Sequence, residues 1–288
     1  MHQFNRRQFI RQGFAAGVAV ALLPTVWPAQ PRRANDIIEL GPQKLRVSRM
    51  AIGTGTYGGG RSSNQMRKLG AEGLADLFWD AFDNGVFFWD TADSYGSHAA
   101  VKVALKKLPR EKVIISTKTA ARTAEAMKAD LDRFRQEMGT DYIDIVLLHS
   151  RMSPKWVELD KGPMDVLSEA KDRKLVRSVG ISCHSMEAMK LAATSPWLDV
   201  CLTRLNEFGI RMDGDTDEVL PLIADMKAAG KGLIAMKVLG EGQLRNRVDD
   251  ALRFAATKDA VHCFSIGCES RSEFKDNFGR IPKVSQPA

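Results

Sequence analysis

The stretch FFWDTADSYG, residues 87–96, joins an aromatic run to an acid, small polar residues, a phenol and a glycine. The run reads as a strand buried on both faces, because its apolar residues are nearly continuous instead of alternating with polar ones. A carboxylate, Asp90, closes that strand, and Tyr95 follows five residues later. Polar groups at the carboxyl end of a doubly buried strand suit a parallel sheet closed into a barrel, where catalytic groups come from the carboxyl ends of several strands.

Similar runs recur on either side. With VFFWDT (86–91), the segments MAIGTG (50–55), KVIIST (112–117), YIDIVLLH (142–149), LVRSVGIS (175–182), LDVCLT (198–203), KGLIAMKVL (231–239) and AVHCFSIG (260–267) make eight. Between them lie stretches such as AEGLADLFWDAFDNG, AEAMKADLDRFRQEMG and DEVLPLIADMKAAG. Their apolar residues recur every three or four positions, which predicts amphipathic helices. Asn84-Gly85, Gly139 and Gly230 are natural stops for them. The alternation predicts a (β/α)8 TIM barrel, whose usual size is about 250 residues. A doubly wound open sheet is the runner-up, but no G-x-G-x-x-G turn follows the first strand. Ahead of the barrel, IIELGPQKLRVSRM predicts a short N-terminal hairpin turned at Gly41-Pro42.

The chain divides into an export signal over 1–29, a linker over 30–35 and the barrel over 36–288. The signal is NRRQFIRQGFAAGVAVALLP, a twin arginine followed by a short Ala- and Gly-rich apolar stretch from Gly13 to Leu23. That stretch falls short of the roughly 20 apolar residues that span a bilayer. It resembles a twin-arginine (Tat) signal, with Arg6, Arg7 and Phe9 matching the motif, which implies the Tat export machinery as a partner and a periplasmic or exported location. Trp27 stands before Ala29 where a small residue suits cleavage, so an uncleaved signal would serve as a membrane anchor. The formal charge of +7 forms no basic stripe with interleaved aromatics, so nucleic acid is not an expected partner. Cys183, Cys201, Cys263 and Cys268 include no C-x-x-C, and no metal site is expected. They read as small buried hydrophobes, with a disulfide between neighbouring strands as the alternative. The acidic run DGDTDE (213–218) lacks the glycine of a calcium loop at Glu218 and its bidentate acid at Ala224, and reads as a helix-capping loop.

Four polar residues occupy strand ends or the loop just beyond: Asp90, Tyr95, Lys118 and His149. Each alone has a bland reading, as a surface charge, a rim ion pair or a structural histidine. Together they are chemically coherent. A phenol with pKa about 10 is a poor proton handler at neutral pH. A nearby ammonium lowers that pKa, a carboxylate holds the ammonium, and an imidazole positions a carbonyl oxygen or relays a proton.

DTADSYG, ISTK, IDIVLLH and RSVGIS, in that order, resemble the motifs of the aldo-keto reductase family, with the likeness running from about residue 36 to 280. The resemblance implies a (β/α)8 barrel that binds NADP(H) at its rim, with NAD as the alternative, and reduces small aldehydes or ketones or oxidises the alcohols. It implies Tyr95 as general acid, Lys118 as its pKa partner, Asp90 as orienter of Lys118, and His149 as guide for the carbonyl. By the same likeness Gly55, Thr56 and Tyr57 line the nicotinamide pocket and Ser182 contacts the carboxamide. Cys183 replaces the family's asparagine beside that serine, and Leu202 its glutamine. MKVLGEGQL (236–244) resembles a pyrophosphate loop, with Leu239, Gly240 and Gly242 at its centre. IGCESRSEFKDN (266–277) resembles the adenosine clamp, with Gly267, Glu273 and Asn277 in place and Arg271, then Lys275, as candidates for a 2′-phosphate. The substitutions at Cys183 and Leu202 motivate an alternative: an exported nucleotide-binding barrel that senses or regulates without turnover. A third reading is a reductase of sugars or glycosides. The loop RMSPKWVELDKGP (151–163) is expected to shape substrate choice, with Trp156 either lining the pocket or packing against the rim.

Overall fold

The computed structural model describes residues 30–286, so the export-signal expectation lies outside the described residues. Two antiparallel strands come first, β1 (Ile37–Leu40) and β2 (Leu45–Ser48), with Gly41 in the left-handed region at φ +66° to make the turn. Eight parallel strands follow: β3 (Met50–Gly53), β4 (Phe88–Asp90), β5 (Ile114–Thr119), β6 (Ile143–Arg151), β7 (Val176–Cys183), β8 (Val200–Arg204), β9 (Gly232–Met236) and β10 (Cys263–Gly267). They close in sequence order, with β10 pairing both β9 and β3. This is the (β/α)8 barrel with its N-terminal hairpin, as expected. Several strands start later than the apolar runs suggest, because the leading residues belong to the turn out of the preceding helix. The Val86 N–H donates to Ala81 O, and Lys112 closes a 3₁₀ turn over Arg110–Lys112.

Among the described residues nine helices connect the strands. They are α1 (Asn64–Asp83), α2 (His98–Leu105), α3 (Ala124–Met138), α4 (Trp156–Leu159), α5 (Lys161–Asp172), α6 (Met186–Thr194), α7 (Thr216–Ala228), α8 (Val248–Thr257) and α9 (Arg271–Val284). Their ends follow local chemistry. Ser63 and Thr123 accept from backbone N–H groups three residues on, capping α1 and α3. Gly139 takes the left-handed conformation after α3, as a C-terminal stop requires. The buried face of α3 is Met127, Leu131, Phe134 and Met138, a spacing of four, three and four. DGDTDE does precede a helix, but Asp215 makes no side-chain cap. Asp213 instead pairs with Arg204 at 3.0 Å, and burial pushes its carboxyl up to about 6.

Apolar burial falls in two layers. One lies between barrel and helices and includes Phe78 of α1 stacked on Trp89 of β4, ring centroids 4.3 Å apart. The other fills the barrel: Ala51, Phe88, Ile145, Leu147, Val200, Leu202 and Ile234 meet Leu40, Leu45 and Val47 of the hairpin. The hairpin therefore floors the barrel at the amino ends of its strands. The packed interior leaves the carboxyl ends as the place where polar side chains can gather.

Candidate active site

Asp90 is the last residue of β4, and Lys118 lies on the neighbouring strand β5. Lys118 is 1% exposed. An ammonium buried so deeply is costly unless it is paired and hydrogen-bonded. Its Nζ donates to Asp90 Oδ1 at 2.7 Å and to the Thr91 carbonyl at 2.7 Å. The second Asp90 oxygen accepts from Ser265 Oγ at 3.1 Å, from the last barrel strand. Burial alone would lower the pKa of Lys118, but Asp90 and Tyr95 outweigh it and the net direction is upward. The amine stays charged.

Tyr95 ends a 3₁₀ turn over Asp93–Tyr95, and Gly96 leaves it at φ +68°. The phenol ring lies flat against backbone. A Cβ on Gly55 would stand 2.3 Å from its Cε2 and Cζ, and one on Gly58 2.4 Å from Cδ1. The Lys118 ammonium sits 4.9 Å from the ring centroid. Its attraction for the phenolate is the expected pKa-lowering effect, but burial of Tyr95 acts more strongly in the opposite sense and the net direction is up. The phenol therefore holds its proton at neutral pH.

His149 completes the set from β6. Its Nε2 lies 3.4 Å from Tyr95 Oη, and its Nδ1 lies 3.4 Å from Ser94 Oγ. Burial, then the charge of Lys118 and the neighbouring His184, hold its pKa well below the ordinary value, so the ring is neutral. The strand changes register around it: pairing with β7 shifts between Leu148 and Arg151, and Ser150 has φ +53°. Arg151, 1% exposed, fastens the bulge. Its guanidinium donates to His149 O at 2.8 Å, Ala121 O at 2.7 Å and Asp160 Oδ2 at 2.7 Å.

A cleft of about 530 Å³ opens beside Asp90 and Tyr95. Gly55, Thr56, Tyr57, Leu239, Gly242, Gly267, Glu273 and Asn277 line it, out of the twelve residues that the resemblance assigned to a cofactor. The other four are not among its lining residues. Ser182 is buried and its Oγ accepts from the Ser150 N–H at 2.9 Å. Cys183 points into the outer layer, its Sγ 3.7 Å from that of Cys201, and all four cysteines are free thiols. Gly240 packs against Ile210 and Leu244, and Arg271 is committed to Asp80 by a two-pronged ion pair. Within the cleft, Thr56 is held by Gln65, and Glu273 accepts from the Glu269 N–H while Ser270 Oγ accepts from the Glu273 N–H, a reciprocal cap on α9. Trp156 is wholly buried and donates to Ala188 O at 3.1 Å, so it packs α4 against α6.

Sequence reasoning missed several participants. Ser265 carries no signal as a small polar residue in an apolar strand, although its period-two alternation with Phe264 and Ile266 would have pointed it inward. Arg151 looked like a loop residue, because the bulge carries β6 two residues past His149. Lys237 and Glu241 pair inside the cleft, both at positive φ, and Arg245 and Glu269 also line it.

Known proteins resemble this chain throughout the barrel. The model of the Aldo/keto reductase family matches residues 49–282. The chain is 27% identical over 211 residues to the NADH-specific methylglyoxal reductase of Escherichia coli, which covers 65% of this chain and 63% of that protein. It is 29% identical over 150 residues to the NAD/NADP-dependent indole-3-acetaldehyde reductase of Schizosaccharomyces pombe, with 51% of this chain and 50% of that one covered. The chain thus spans less than two thirds of the length of these two curated relatives. Among solved structures, an aldo-keto reductase of Bacillus halodurans in its holo form superposes with a TM-score of 0.68 at 17% identity, covering 88% of this chain and 97% of that one. A Pseudomonas aeruginosa structure carrying the aldo-keto reductase name does so with a TM-score of 0.73 at 21% identity, covering 88% and 97%. At such identities these superpositions speak for the fold.

Proposed function

The chain belongs to the aldo/keto reductase family, and from that premise we propose that it is an NAD(P)-dependent oxidoreductase of small carbonyl compounds, with Tyr95 as general acid. The observation that carries the reading is the phenol at the cleft wall, between a charged Lys118 and a neutral His149. The cleft suits a nicotinamide dinucleotide because its walls are backbone where close approach is needed. Gly55 is required by the Tyr95 ring and Gly267 by Thr56 and Gln65, which leaves bare backbone at both places, and Gly242, at φ +86°, has nothing within 4 Å of where a Cβ would stand. Bound there, the nicotinamide supplies the hydride that reduces a carbonyl carbon, or accepts it in the reverse direction.

The side chains of this protein handle the proton and the orientation. Tyr95 donates its proton to the carbonyl oxygen, and Lys118 stabilises the phenolate left behind. Asp90 keeps Lys118 fixed, and Ser265 keeps Asp90 fixed. With Nδ1 accepting from Ser94, His149 keeps its proton on Nε2, which faces the phenol oxygen and is placed to hydrogen-bond the same carbonyl. The relatives' names, methylglyoxal reductase and indole-3-acetaldehyde reductase, favour a small aldehyde or ketone. The test is loss of nucleotide absorbance with a panel of aldehydes, and its disappearance in Tyr95→Phe. Nucleotide binding without turnover on the whole panel would support the sensor instead.

We also propose export in the folded state, which the twin-arginine pattern of the first 29 residues supports, with the nucleotide carried inside. Mass spectrometry of protein from its native compartment checks this through the amino terminus and any retained nucleotide. Cytoplasmic protein with an intact amino terminus would overturn it.

A further inference from the structure

The dehydrogenase reading orients the cleft. Tyr95 and Asp90 mark its nicotinamide side, and the first residues of α9, in the stretch that resembles an adenosine clamp, mark its adenosine side. A dinucleotide with its nicotinamide beside Tyr95 has its adenosine at that far end. The lining there includes Glu269, Glu273, Asp276 and Asn277: three carboxylates and an amide.

We propose that these carboxylates make the site selective for the cofactor whose adenosine ribose carries a free 2′-hydroxyl, so that NAD(H) is bound in preference to NADP(H). This rests on the dehydrogenase reading and refines it. A 2′-phosphate brings a charge of about −1.5 to −2 at pH 7, and like charges brought together at a binding site cost several kcal/mol. A ribose hydroxyl is neutral and can donate to a carboxylate.

The nearby cations are held away from the cleft: Arg67, which acts on Glu269 from outside, bonds Ser62 Oγ and Asn64 Oδ1 and is not among the lining residues. Arg271 is held by both oxygens of Asp80. Lys68 is paired with Glu269, and Arg280 with Asp276 and Asp249. Lys275 is exposed on α9 and is not among the lining residues. Glu269 also accepts from Asn64 Nδ2 at 2.7 Å, which fixes its carboxylate at the start of α9 without exhausting its lone pairs. The lining cations are Lys237, paired with Glu241, and Arg245, which has no ion-pair partner among the described residues. It follows the glycine turn over Gly240–Gly242, on a segment suited to a pyrophosphate that both cofactors carry.

Titration calorimetry of the intact protein with NADH and with NADPH tests the proposal directly. NADH is expected to bind at least about tenfold more tightly. Glu269→Gln is expected to narrow that ratio several-fold by improving NADPH binding. Arg245→Ala is expected to weaken both cofactors by the same factor. NADPH bound as tightly as NADH, or a loss confined to NADPH in Arg245→Ala, overturns the preference while leaving the dehydrogenase reading standing. Binding of neither cofactor overturns both.

Discussion

The distance between Tyr95 and the first barrel strand is set by what Gly55 lacks. A methyl group there would occupy the space of the ring, 2.3 Å from two of its carbons. Gly55→Ala is therefore expected to displace the phenol and cut kcat about a hundredfold or more, on the scale seen when a positioned acid is lost. Steady-state kinetics with circular dichroism as the folding control checks this. Tyr95→Phe is expected to cost about a hundred- to ten-thousandfold in turnover with nucleotide affinity nearly unchanged. The pH profile follows from the raised phenol pKa, whose first cause is burial. Carbonyl reduction needs the protonated phenol, so its rate is expected to be level from pH 6 to 8 and to fall above about 10. Alcohol oxidation needs the phenolate and is expected to rise over the same alkaline range. A reduction rate that falls between pH 7 and 8 would exclude Tyr95 as the donor.

At the scale of elements, two devices hold the candidate groups, one charged and partly exposed, one buried. The 3₁₀ turn that ends in Tyr95 is strapped to α3: Asp93 accepts from Arg61 and Arg133, each at 2.7 Å, and Glu137 joins the same arginines and His98. Apart from the buried His98, these partners are partly exposed, so each exposed pair contributes little and the network mainly sets direction. Arg151 is different. Removing it leaves Asp160, whose side chain is wholly buried, with the half-exposed Arg122 as its one charged partner among the described residues. Arg151→Met is expected to lower stability by about 3–5 kcal/mol and to reduce kcat more than it raises KM, because His149 loses its anchor. Urea unfolding and steady-state kinetics check both, and Arg151→Lys should recover part of each. The strands were legible because doubly buried strands read as unbroken apolar runs. The candidate set was legible because Asp90, Lys118 and His149 end or follow such runs. The bulge at His149 was not, since nothing local in HSR distinguishes a strand that continues from one that stops. Cys183 was assigned to the cofactor by its neighbour, but on a strand adjacent side chains face opposite sides, so a residue next to Ser182 faces the helices.

For the molecule as a whole, the four histidines among the described residues titrate in one direction. His98, His149, His184 and His262 are all lowered, chiefly by burial, with His184 and His262 at about 4. A buried neutral imidazole binds its proton less readily than the unfolded chain does, near 6.5. Stability is thus fully present above pH 6.5 and is lost as pH falls toward 4. Asp213, raised to about 6, opposes this over part of the range, as one group against four. The urea midpoint is expected to climb from pH 4 to 6.5 and then level off; a flat curve would mean that the imidazoles are hydrated and charged. Ser265 adds a consequence in time. Asp90 belongs to the second barrel strand but receives one of its bonds from the eighth. A ribosome that has delivered seven strands has therefore made all four candidate residues, yet the bond that orients the second oxygen of Asp90 waits for the eighth. The finished arrangement of the four should therefore arrive late in translation.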